Sequence, residues 1–189
     1  MKNFILVGLL LTAQLLTAQT YSRYDSTLKI GKTGYRVSCI NKSPDRNTLN
    51  IRPLGFKAEV REVSLELKAR VLSAEIDDLN NDGFPEVIIF IVEGNGKKGL
   101  FCISSKENER IEPIFFPDIT DDMVLSKGYR GQDEFKLVEG VLFRKFPIYE
   151  SDTTIKVPTK KSRQILYRVV QIDQGWRFKA FRNFELVAD

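Results

Sequence analysis

Ser126–Tyr149, SKGYRGQDEFKLVEGVLFRKFPIY, decides how this chain is read. Its first part is polar and broken by Gly128 and Gly131, which permit a tight, exposed backbone path. Its second part holds two short segments, Glu134 to Val138 and Val141 to Phe146, on either side of Glu139-Gly140. Two such segments around a two-residue turn predict a β-hairpin. The loop gathers Ser126, Lys127, Tyr129 and Arg130. Ser and Tyr hydroxyls donate and accept, whereas Lys and Arg only donate. That set suits insertion into a cleft lined by carboxylates. It does not suit covalent chemistry, because no base lies nearby. The competing reading packs Tyr129 at the base of the loop and uses Ser126 to cap a short helix.

The rest of the chain reads as further strands. Partial alternation marks Tyr35 to Ile40, Leu49 to Ile51 and Glu59 to Leu67. Val71 to Ile76 and Val87 to Val92 are richer in Val and Ile, as buried strands are. Gly94-Asn95-Gly96 predicts a turn before Leu100 to Ser104, and Arg110 to Ile114 is another short strand. Asp118 to Leu125, after Pro117, is the best helix candidate, with an acidic start that suits a helix amino terminus. Tyr149 to Ser162 reads as a long loop, and Gln164 to Val170 with Trp176 to Phe184 as a final pair. The expected fold class is all-β with one short helix: an antiparallel β-sandwich or barrel-like sheet in a single domain.

Between two of these strands, Asp78, Asn80 and Asp82 alternate, followed by Gly83 and then Glu86. Calcium takes six to eight oxygens from carboxylates, amides and carbonyls. Asp78, Asn80 and Asp82 side chains, the Phe84 carbonyl and Glu86 are therefore candidate calcium ligands. The alternative is a turn in which the Asp and Asn side chains bond local amides.

Composition narrows the function classes. The chain of 189 residues has no histidine. Histidine-based triads and ordinary zinc catalytic sites are excluded, and no phosphate-binding glycine loop is present. The expectation is a protein that is not an enzyme. The formal net charge is +4, without a basic run interleaved with aromatics, so no nucleic-acid partner is expected. Residues 1–18 read as a signal peptide: Lys2, then an apolar run from Phe4 to Leu16 too short to span a bilayer, then small residues before Gln19. No Cys lies at the cleavage region, so no lipid or membrane anchor is expected, and the mature domain is 19–189. The expected location is periplasmic or secreted. Export places Cys39 and Cys102 where a disulfide can persist. They are either bridged or two separate buried thiols.

The ordered residues Gly128-Tyr129-x-Gly131-x-Asp133-Glu134-Phe135, Val138-Glu139-Gly140 and Arg144-x-Phe146-Pro147-x-Tyr149 resemble the bacterial periplasmic inhibitors of I-type (invertebrate) lysozyme. Asp78 to Val87, and Arg163-Gln164-Ile165-x-Tyr167 with Gly175-Trp176, fit the same pattern. One departure is Gln132, where related chains often carry His. The resemblance implies that Ser126 and Tyr129, three apart on an exposed loop, enter the lysozyme cleft. Lys127 and Arg130 are added on their charge. Lysozyme catalysis depends on two carboxyl groups flanking the sugar bond, and the loop would block them. The expected function is thus an exported lysozyme inhibitor. The alternative is a calcium-stabilised surface or carbohydrate-binding β module. A homodimer is compatible with either.

Overall fold

The computed structural model describes residues 22–57, 59–150, 158–173 and 175–187. The predicted leader and its cleavage site lie outside these residues. The first sheet has the order β1-β2-β3-β4, formed by Tyr24–Ile30, Thr33–Cys39, Asn47–Leu54 and Val63–Leu67. The second has eight strands: β5 Ala69–Asp77, β6 Glu86–Glu93, β7 Lys98–Lys106, β8 Arg110–Phe115, β9 Glu134–Val138, β10 Val141–Tyr149, β11 Pro158–Ile172 and β12 Gly175–Val187. Its order is β5-β6-β7-β8-β12-β11-β10-β9, and it curls into a nearly closed barrel. Every pairing is antiparallel except β8 with β12, which run parallel over Trp176↔Ile114 and Arg177↔Phe115. The fold class is as the sequence predicts.

Successive residues of a strand face opposite ways, and β6 uses both faces. Ile88 and Phe90 point into the barrel with Cys102, Ile114, Leu142, Phe146, Ile165, Tyr167 and Phe178. Val87 and Ile89 point outward and meet Tyr35, Val37, Leu49 and Ile51 of the first sheet. The middle strands are thus shared by two cores, which is why β6 reads as an unbroken apolar run. The seam between the barrel's outer strands, β5 and β9, is bridged where the Gly140 amide donates to Asp77 Oδ2 at 2.8 Å.

Several expectations change here. The helix over 118–125 reduces to one 3₁₀ turn, Ile119–Asp121. Asp118 accepts from the Thr120 amide, and Asp122 from those of Val124 and Leu125. These short side chains give the backbone an alternative to helical bonding. β1 was not expected, because only alternate residues of its polar run, Tyr24, Ser26 and Leu28, are half-buried. β11 begins at Pro158, inside the expected long loop. Cys39 and Cys102 are buried free thiols. Cys39 faces the core between the sheets and Cys102 the barrel interior. The barrel wall therefore lies between them, and the bridged alternative does not hold in this structure.

Candidate functional site

The segment between β8 and β9 forms a ridge, and its footing is made of buried charge. Arg144 on β10 and Asp133, just before β9, are 4% and 1% exposed. Arg144 Nε donates to Asp133 Oδ1 at 2.6 Å and Nη2 to Oδ2 at 3.0 Å, a two-point pair. The Tyr129 hydroxyl donates to Asp133 Oδ2 at 2.5 Å and accepts from Arg144 Nη2 at 3.1 Å. Its ring meets Phe146 edge-on at 4.9 Å. The guanidinium sits within 6 Å of the rings of Tyr129, Phe135, Phe116 and Phe146, a cation desolvated among aromatic faces. Burial, and then the hydrogen bond to Asp133, push the Tyr129 hydroxyl up to about 12. It stays a neutral donor at ordinary pH.

A second buried arginine holds the other end. Arg163 on β11 donates through Nη1 to the carbonyls of Val124 (2.8 Å), Leu125 (2.8 Å) and Lys127 (3.3 Å). Its Nη2 bonds Glu185 Oε1 on β12 at 2.8 Å. Gly128 has φ +76°, and an added Cβ would lie 2.7 Å from both Ile148 Cγ2 and the Tyr149 carbonyl oxygen. Only glycine lets the chain pass this close to β10, where the Tyr149 amide donates to the Gly128 carbonyl at 2.9 Å.

On this footing the upper side chains face solvent. Met123 and Val124 are 89% and 77% exposed. Lys127 and Arg130 are exposed and Ser126 is half-exposed. Arg130 lies over the Tyr149 ring at 5.3 Å, and the Tyr149 hydroxyl donates to Gln132 Oε1 at 3.0 Å. A cleft of about 320 Å³ begins at Gln132 and is flanked by Lys145, Lys160 and Lys161. The four expected contact residues thus share one ridge but not one role. Ser126, Lys127 and Arg130 reach solvent, while Tyr129 is half-buried with its hydroxyl turned inward. Tyr129 packs at the loop base through Phe146 and Asp133, with part of its surface still reaching solvent. Met123 and Val124 carried no sequence signal, because they fall inside the segment read as a helix.

The 78–86 loop is built differently. Asp78 accepts from the amides of Asp82 (3.1 Å) and Gly83 (2.9 Å). Asn80 accepts from the Asp82 amide, and Asp82 from that of Phe84. Glu86 lies beneath this turn, close enough for the charges of Asp82 and Asp78 to act on its carboxyl. It is fully buried, accepting from the Leu79 amide at 2.8 Å and from Ser104 Oγ at 3.0 Å. Burial raises its carboxyl to about 8. Among the described residues no group of three or more Asp, Glu or Cys is arranged to hold a metal ion. Asp78, Asn80, Asp82 and the Phe84 carbonyl share this turn, and Glu86 joins it through the Leu79 amide.

Compared with known proteins, the chain matches no family model, no curated protein and no solved structure.

Proposed function

We propose that this protein is an exported inhibitor of lysozyme, of the I-type by its sequence resemblance, that binds through the 122–132 ridge. The observation that carries the reading is the ridge itself: an exposed apolar pair and two exposed cations on a backbone fixed from beneath by Arg144 and Arg163. A loop held in its bound shape loses less entropy on association. An apolar centre with a charged rim is the composition of an interface hot region. Lys127 and Arg130, with the lysines of the adjoining cleft, match a target whose catalysis depends on two carboxyl groups. In this reading Met123 and Val124 supply apolar contact. Ser126, Lys127 and Arg130 donate to the target, and Tyr129 holds the loop in shape.

Inhibition of I-, c- and g-type lysozymes in a cell-lysis assay tests it. The protein should inhibit at least the I-type enzyme. Lys127→Glu together with Arg130→Glu should weaken inhibition about a hundredfold or more, about 2.7 kcal/mol, because it sets acids against acids. Absence of inhibition of all three classes would remove the reading.

A further inference from the structure

The long hairpin of β11 and β12 leaves one edge of the sheet open. β12 is paired with β11 from Gly175 to Val187. On its other edge β8 reaches only Trp176 and Arg177. From Phe178 onward that edge has no strand partner among the described residues. Phe181, Phe184, Leu186 and Val187 on this segment are 39%, 45%, 39% and 67% exposed. A long edge that carries exposed apolar side chains and lacks a strand partner is a template for another strand. We infer that this edge pairs with the same edge of a second copy of the chain, giving a two-fold dimer.

The residues favour self-pairing and set its register. Two antiparallel copies related by a two-fold axis through the sheet keep each side chain on its own face. One residue must therefore sit opposite itself. Centring on Glu185 would oppose two carboxylates. Centring on Asn183 would set Phe181 opposite Glu185. Centring on Phe184 sets Phe184 against its copy, Asn183 opposite Glu185, and the Arg182 stem opposite Leu186. Centring on Phe181 would set Glu185 and Leu186 opposite Arg177 and Trp176, which β8 already pairs. Of the registers that leave β8 in place, the one centred on Phe184 joins exposed aromatic rings and opposes no like charges. At this sheet the assembly stops at two, because each copy spends the same edge and β5 and β9 face one another across the Asp77–Gly140 bond.

Light scattering coupled to size exclusion, on the purified protein over a range of concentrations, tests the inference. The mass should reach twice that of one chain as concentration rises. Phe184→Lys should return the single-chain mass without loss of circular dichroism signal, because Phe184 lies outside both cores. Phe184→Cys should give a disulfide-linked pair under mild oxidation, since residues directly opposite across a sheet lie within disulfide range. The wild type should not cross-link, its thiols being buried. A single-chain mass at the highest soluble concentration would overturn the inference, as would a Phe184→Lys protein that stays dimeric. Cross-linking through Asn183→Cys but not Phe184→Cys would overturn the register.

Discussion

The 78–86 turn and the 122–132 ridge look alike as sequence, since both are polar, punctuated by glycine and rich in side chains that bond amides. They are held in opposite ways. The turn is secured from within: Asp78, Asn80 and Asp82 accept amides two to five residues further along. The ridge is secured from below by Arg144 and Arg163, which belong to strands that follow it in the chain. A self-bonded turn can lose one contact and turn an amide to water. A ridge on buried charge cannot, because the charge left behind has no water to turn to. The two segments should therefore respond to substitution very differently.

The largest expected effect is at the footing. Arg144→Met leaves the Asp133 carboxylate buried without its partner and should destabilise by about 3–5 kcal/mol, measured by urea unfolding. Adding Asp133→Leu should recover much of that loss, because an apolar pair of similar volume replaces an ion pair at little net cost. A single variant that loses less than about 1 kcal/mol would show that the ridge does not rest on this pair.

Next is Glu86, a buried carboxyl at the foot of the turn. Its carboxyl is raised to about 8 in the folded chain, chiefly by burial, against about 4.5 in an ordinary setting. A folded-state value above the unfolded one means that the native protein holds the proton longer. The stabilisation is complete below about 4.5 and is lost as pH rises towards 8, by a few kcal/mol in all. Wild-type stability should fall over that window relative to Glu86→Gln, which has no proton to lose. Parallel pH profiles for the two proteins would remove Glu86 as the source.

Tyr129→Phe tests a smaller part of the ridge. It keeps the ring against Phe146 and removes one donor from Asp133. The expected loss is about 1–3 kcal/mol, the range for a buried charged group that loses a hydrogen bond. Inhibition should weaken only as far as the ridge loosens. A fully stable Tyr129→Phe that no longer inhibits would instead make the hydroxyl a direct contact and break the division of roles.

The same contrast explains what the sequence could reveal. Alternation at Glu134–Val138 and the Val-rich run at Val87–Val92 are local signals, and both segments are strands. β1 escaped notice because its outward positions are polar, and the start of β11 because Pro158 and Thr159 read as loop. At the ridge, Tyr129, Asp133, Arg144 and Arg163 all stand in the stretches that carry the resemblance. Their association does not, because it comes from the pairing of β9, β10 and β11. Met123 and Val124 stayed hidden for the converse reason. The 118–125 segment forms only a 3₁₀ turn, and the pair beyond it is exposed. Glu86 was legible as an acid, but its inward direction depends on Ser104 of β7 across the sheet.

The smallest effect belongs to the turn. Asp78→Ala removes an acceptor from two exposed amides, those of Asp82 and Gly83, which water can satisfy. The expected cost is about 0.5–1.5 kcal/mol, against several for Arg144→Met. The same self-sufficiency predicts that melting temperature stays put when calcium or a chelator is added, since the side-chain oxygens of Asp78, Asn80 and Asp82 are engaged with amides. Calcium at a hundred times its dissociation constant would add about 2.7 kcal/mol if it bound only the folded chain. A rise of that size in thermal unfolding, abolished by Asp78→Ala, would mean that the turn reopens to take a cation. The two loops would then differ less in what holds them than in where the charge comes from.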